Sequence, residues 1–282
     1  MENKDFAVFI MVHGRPEKNL TYNTLLKCGY EGEIYLLGDL LDDRGEDYKK
    51  IYGKYYIQCD TKEISKNTDS GDNSGNLNST LYKSNESFNI AKKLGIKYFC
   101  LMCDDYYEFD YMFKDEIKGM KLCRNINKIF DLVIDFYKKT KVLSIAFAQT
   151  GDFIGGIDNG KGVYRFSKRK LMNTFFLSTE RIFNFYGRMN EDVTTYTNLG
   201  QKGNLFLTIP CFAINQKDTQ QSKKGLTELY EDNGTYIKSM FSVIYNPSCV
   251  KASMMNAKHK RIHHSIKWIN TTPMIISEIF KK

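Results

Sequence analysis

The stretch Ile96-Lys-Tyr-Phe-Cys-Leu-Met-Cys-Asp-Asp105 decides how this chain is read. It opens after Gly95, a helix stop. Its centre is a continuous apolar run of strand length, and it ends on two adjacent carboxylates, Asp104 and Asp105. A strand without polar alternation is apolar on both faces and belongs inside a sheet that is covered on both sides. The same pattern occurs upstream in Phe6–Val12, in Glu33–Gly38 and, less strongly, in Tyr55–Cys59. Between these runs the periodicity predicts helices over Leu20–Cys28 and Asn85–Leu94, stopped by Gly29 and Gly95. Strands alternating with helices predict an α/β fold with a mostly parallel central sheet flanked by helices. Such sheets bind ligands beyond the carboxyl ends of their strands. His13, Arg15, Asp39 and the Asp104-Asp105 pair all fall there.

The second half reads as mixed α+β. A helix is expected over Asp115–Lys139, with an apolar stripe at Ile126, Ile129, Phe130, Val133 and Ile134. A strand over Val142–Ala148 leads to the glycine-rich Gly151-Asp-Phe-Ile-Gly-Gly156. A helix is expected over Val193–Leu199 and a strand over Leu205–Ile209. Residues 67–79 contain almost no apolar side chain, which predicts either a linker or a loop over the ligand, mobile when nothing is bound. With no repeat and no clean boundary, residues 1–282 are expected to form one domain.

At 282 residues, 42% hydrophobic and 26% charged, the composition is globular. No apolar run approaches the roughly 20 residues of a membrane span. Met-Glu-Asn-Lys-Asp runs straight into the first strand, without a signal peptide's apolar stretch. Seven cysteines, an odd number at low density, do not form a disulfide scaffold. Cys100 and Cys103 lie three apart in a strand and so face opposite sides, which predicts inert buried thiols. A reducing cytoplasm is the expected compartment, with no membrane partner.

The net charge of +8 is uneven. From Lys251 to Lys282 seven basic residues face one acid, Glu278, whereas Cys100 to Glu116 carries six carboxylates against Lys114. A cation at one place and a polyanion at another would suit these two regions, although solvated surfaces would show the same composition. Adjacent carboxylates at a strand end repel unless a cation or a basic group balances them. Mg²⁺ or Mn²⁺ needs only one or two carboxylates when phosphate oxygens complete its shell. Asn190-Glu191-Asp192 is a second acidic group, read either as a helix cap or as a general base. His263 and His264 either complete a divalent site or join Lys258, His259, Lys260 and Arg261 in a polyanion-binding strip.

The order of these pieces resembles the GT-A fold nucleotide-sugar glycosyltransferases. More narrowly, it resembles the phage glycosyltransferases associated with TET/JBP dioxygenases, which glycosylate hydroxymethylated pyrimidines in DNA. The segments that carry the likeness are Val12-His-Gly-Arg-Pro16, Ser84 through Asp104-Asp105-Tyr106, Gly187-Arg-Met-Asn-Glu-Asp192, Thr219-Gln220 with Gly225-Leu-Thr, and Arg261-Ile-His-His264. The resemblance implies a GT-A-like fold, with residues 1–110 as the nucleotide-binding half and 111–282 as the acceptor and catalytic half. It implies transfer of a sugar, glucose foremost, from a UDP-sugar to 5-hydroxymethylcytosine in double-stranded phage DNA, inside the host cytoplasm. Asp105 with Asp104 would hold Mn²⁺ or Mg²⁺, although Cys103-Asp-Asp departs from a strict Asp-x-Asp and leaves open which carboxylate binds directly. His263 or His264 would add a further metal ligand. His13, Arg15, Asp39, Asn85, Gly155 and Gly156 would contact the donor. Glu191-Asp192 resembles the Glu-Asp pair of inverting enzymes, with Asp192 as base. Lys168, Arg169, Lys170 and the C-terminal strip would hold DNA phosphates. A GT-A enzyme acting on a protein, lipid or glycan, or a non-enzymatic nucleic-acid-binding module, would keep parts of this pattern.

Overall fold

The computed structural model describes residues 3–112, 120–149, 174–216, 236–256, 260–273 and 275–281. In chain order the strands are β1 (Phe6–Met11), β2 (Glu33–Asp39), β3 (Tyr56–Cys59), β4 (Tyr98–Cys103), β5 (Tyr106–Met112), β6 (Met120–Leu122), β7 (Ser144–Gln149), β8 (Thr174–Ser178), β9 (Phe206–Gln216), β10 (Val250–Asn256) and β11 (Lys260–Ile266). The helices are α1 (Leu20–Lys27), α2 (Gly45–Tyr52), α3 (Thr61–Ser65), α4 (Thr80–Lys93), α5 (Ile126–Lys139), α6 (Glu191–Gln201), α7 (Tyr236–Tyr245) and α8 (Trp268–Thr271). Among the described residues, nine strands form one sheet in the order β3-β2-β1-β4-β8-β7-β9-β5-β6, and β10 and β11 form a separate hairpin.

The sheet has two characters. From β3 to β4 every pairing is parallel, as the uninterrupted apolar runs require. Beyond β4, strand β8 pairs antiparallel with both β4 and β7, β9 lies parallel to β7, and β5 closes antiparallel on β9. Every residue of β1 is buried. Val8, Ile10, Cys100 and Met102 pack with Phe130, Phe147 and Phe176 on one face. Phe9, Phe99 and Leu101 pack with Phe88, Ala91 and Phe183 on the other. Each of these Val, Ile, Leu, Met and Phe side chains contributes about 1.5–3 kcal/mol of burial, so both layers hold the strand ends in place. The α/β expectation and the free cysteines agree with this arrangement. No helix among the described residues is long and apolar enough to cross a membrane.

Several expected boundaries move. Helix α4 begins at Thr80 rather than Asn85, because Ser79 caps it by accepting from the Leu81 N–H. Helix α5 begins at Ile126 behind an Asn125 cap, and Met120–Leu122, expected to be helical, pairs with β5 instead. Helix α6 takes in Glu191 and Asp192. The polar segment 67–79 is stitched down rather than loose. Asp69 and Ser70 carbonyls accept from the Gly187 and Arg188 N–H groups at 3.0 and 2.8 Å. The Arg188 guanidinium pairs with Asp72 at 2.7 Å.

Candidate active site

The turn after β4 is clamped by α1. The Asp104 carbonyl accepts from the N–H groups of Leu20 (3.0 Å) and Thr21 (3.3 Å) at the exposed donors of that helix start. The Thr21 hydroxyl donates to the Cys103 carbonyl at 2.6 Å and accepts from the Tyr106 N–H at 2.9 Å. The Asp104 side chain is thereby turned inward and buried. Its Oδ1 accepts from Arg15 Nη2 at 2.7 Å, while its buried Oδ2 has no hydrogen-bond partner. Burial lifts this carboxyl to about 6, opposed by Arg15 and reinforced by the charge of Asp105. Asp105 Oδ2 accepts from Gln216 Nε2 at 3.1 Å.

The ends of β1 and β2 form the adjoining wall. Gly14, at φ +68, brings its N–H to Asp42 at 2.7 Å, and the Arg15 N–H donates to the Tyr48 hydroxyl at 3.0 Å. His13 Nδ1 lies 3.1 Å from Asp39 Oδ2. The buried Lys83 of α4 donates to the same oxygen at 3.2 Å and to the Val12 carbonyl at 3.0 Å. Burial alone would raise the Asp39 carboxyl. The His13 hydrogen bond and the Lys83 charge outweigh it and hold the group down at about 2. Asp39 is thus an anchor for His13 and Lys83. Arg15 Nε is buried and has no hydrogen-bond partner.

The second acidic group sits at the start of α6. Asn190 is the one described non-glycine residue in the left-handed region, at φ +58. Its side chain does not cap the helix. It donates to Ser242 Oγ at 2.5 Å and lies 3.5 Å from His264 Nδ1, which ties α6 to α7 and β11. Thr80 donates to Glu191 Oε1. Burial, with the charge of Asp192 beside it, lifts the Glu191 carboxyl to about 7. Asp192 Oδ1 accepts from the Val193 N–H at 2.7 Å. After burial, the charges of Asp105, Glu191 and Asp104 all push up the thiol of Cys103, which puts Glu191 within electrostatic reach of the end of β4.

Not every expected residue joins them. Asn85 lies in the second turn of α4. Its amide is spent on Phe185, donating to the carbonyl at 3.1 Å and accepting from the N–H at 2.7 Å, so it braces the 183–187 segment and is not free for a diphosphate. Among the described residues no three His, Cys, Asp or Glu side chains form a metal-holding group. His264 faces Asn190, and the His263 ring lies tilted beside it, with ring centroids 4.1 Å apart. A hard cation fits Asp104 Oδ2 with Asp105, and the rest of its shell would then come from water and phosphate oxygens. Lys260 is exposed on β11. Gly155, Gly156, Lys168, Arg169 and Lys258 lie outside the described residues, as does the side chain of Arg261.

Lys83, Asp42, Tyr48, Thr80 and Ser242 are site residues that sequence reasoning missed. A lysine or a threonine inside a polar helix reads as solvent-facing, and the Lys83 partner Asp39 is 44 residues away. Asp42 follows the end of β2 and was the one legible member of this group.

No curated protein sequence matches the chain. Solved structures with related traces include glucosyl-3-phosphoglycerate synthase from Mycobacterium tuberculosis, in complex with Mn²⁺, UDP and phosphoglyceric acid. It is 9% identical, with a TM-score of 0.47 over 93% of this chain and 86% of that one. TarS (1–349) from S. aureus is 13% identical, with a TM-score of 0.42 over 84% of this chain and 65% of that one. A family model described as TET-Associated Glycosyltransferase matches residues 6–225. That span contains Arg15, Lys83, Asp104, Asp105, Glu191 and Asp192, and with more than three-quarters of its length matched the chain belongs to the TET-associated glycosyltransferase family.

Proposed function

We propose that the enzyme moves a sugar, glucose foremost, from a UDP-sugar onto the hydroxymethyl group of 5-hydroxymethylcytosine in DNA, with inversion at the anomeric carbon. The observation that supports the reading is a buried, unpartnered Asp104 oxygen at the end of β4, with Glu191 within electrostatic reach of the same strand end. Residues 1–110 bind the nucleotide and residues 111–282 carry the base and the acceptor surface.

Asp104 and Asp105 would hold Mn²⁺ or Mg²⁺, and the bound ion would supply positive charge against that gathering on the departing diphosphate. Arg15 fixes Asp104 through Nη2, and its buried, unpartnered Nε is a donor that a diphosphate oxygen could satisfy after a small side-chain shift. Lys83, paired with Asp39, holds the end of β1 and adds a fixed positive charge that lowers the Asp104 carboxyl. Asp192 takes the proton of the acceptor hydroxyl as it attacks. Glu191, held by Thr80, fixes the helix start from which Asp192 projects. The basic residues of the β10–β11 hairpin meet DNA phosphates, which predicts salt-sensitive affinity. Because a stacked hydroxymethyl group is hard to reach, the acceptor base turns out of the duplex.

Transfer of label from UDP-glucose with Mn²⁺ to hydroxymethylcytosine DNA, compared with unmodified DNA, tests the reading. Asp192→Asn is expected to bind UDP-glucose like the wild type and to lose transfer. Equal turnover of the two removes Asp192 as base. Transfer to a glycan, protein or lipid while every DNA stays unlabelled replaces the acceptor.

A further inference from the structure

The β10–β11 hairpin has no Asp or Glu between Val250 and Ile266. Its register sets Val250, Ala252 and Met254 opposite Ile266, His264 and Ile262, so these six side chains share one face. Burial falls steeply along that face. Val250 is 1% and His264 5% exposed at the base, whereas Ile262 is 43% and Met254 60% exposed nearer the turn. The same face that seals the hairpin to the body therefore carries a cross-strand apolar pair out into solvent. Lys260, on that face, and Lys251, on the opposite one, are exposed beside it.

The pair also stands close to the acid pair. Ile262 is two residues from His264, about 7 Å along a strand that rises ~3.4 Å per residue. The His264 ring in turn contacts Asn190, which immediately precedes Glu191. An exposed apolar pair on a ribbon that itself carries basic residues and no acid suits a polyanion that offers apolar surface between its charges. Stacked bases between phosphates have that character.

We propose that Met254 and Ile262 form a wedge that enters the base stack at the acceptor step and fills the space left by the nucleotide turned toward Asp192. Lys251 and Lys260 hold the phosphates on its two sides. This inference rests on the DNA-acceptor reading above and adds to it the element that opens the duplex.

The test uses the full-length Met254→Ser/Ile262→Thr enzyme, whose changes fall at exposed positions. The two acceptors are a hydroxymethylcytosine strand, alone and annealed to its complement. For the double variant kcat/KM on the duplex is expected to fall at least about tenfold, while that on the single strand stays within about twofold, because only the duplex must be opened. A 2-aminopurine beside the acceptor in the duplex is expected to brighten with wild type and to stay dark with the variant. Equal loss on both acceptors, no loss on either, or a change of sedimentation coefficient showing that the pair holds a second copy of the chain overturns the wedge. A wild type inactive on both DNAs but active on another acceptor overturns the acceptor reading itself, and the wedge with it.

Discussion

Replacing Lys83 with Met isolates the contact that joins α4 to the ends of β1 and β2. The ammonium group donates to the Val12 carbonyl at 3.0 Å and to Asp39 at 3.2 Å, and both charged side chains are less than 10% exposed. Removing one partner leaves Asp39 buried with the His13 ring and the Leu41 N–H to oppose its charge, which costs about 3–5 kcal/mol. Neutralising the second partner as well, in Lys83→Met/Asp39→Asn, is expected to recover about 1–3 kcal/mol of that loss, the coupling of a close pair. Urea unfolding at pH 7 measures both. The pH dependence has a definite sign. Asp39 is held at about 2 against an ordinary 3.8, so its contribution is complete above the ordinary value and disappears as pH falls toward 2. At 1.36 kcal/mol per unit the whole shift, to which His13 and Lys83 both contribute, is about 2 kcal/mol, and the gap between wild type and Lys83→Met is expected to narrow from pH 4 downward. Two results would refute the reasoning: a Lys83→Met enzyme within about 1 kcal/mol of wild type at pH 7, or a gap unchanged in strong acid.

Two further predictions concern the start of α6. Glu191 has its carboxyl lifted from 4.5 to about 7, so its ionisation opposes folding, with no cost below 4.5 and the full cost above 7. In the metal-free enzyme Glu191→Gln is expected to be more stable than wild type by about 1–3 kcal/mol at pH 8 and indistinguishable at pH 4, while transferring sugar poorly. Thermal melts at the two pH values check this, and an equal gap at both contradicts it. Asn190→Ala forces an alanine to φ +58 and removes the amide, whereas Asn190→Gly removes only the amide. The alanine enzyme should therefore unfold at lower urea, by about 1–2 kcal/mol.

The parallel half of the sheet was legible because β1, β2 and β4 are buried on both faces, which leaves an unbroken apolar run as the only pattern available to them. The Asp104-Asp105 turn was legible for a related reason, since charge that interrupts such a run marks the strand end. Strand β5, Tyr-Tyr-Glu-Phe-Asp-Tyr-Met, hid behind its carboxylates: Asp110 is buried and accepts from Asn215, which lies 105 residues further along. The β10–β11 hairpin reads in sequence as a basic strip or a histidine metal ligand, because the contacts that bury His264 against α6 and α7 come from residues far off in sequence, Asn190 being 74 positions away. Asn85 was misplaced for want of the Ser79 cap, whose polar neighbours resemble a loop. The positions of Lys83, Thr80 and Ser242 follow from partners 44 to 111 residues away, which no local window contains.

The contact of Asn190 with Ser242 and His264 also bears on when the enzyme becomes competent during its own synthesis. The acid pair leaves the ribosome about seventy residues before the histidine that braces it, a delay of roughly 4–15 s at 5–20 residues per second. A nascent chain that already holds Arg15, Asp104 and Asp192 still lacks the brace on Asn190, so the start of α6 is expected to settle only once the hairpin has emerged and docked.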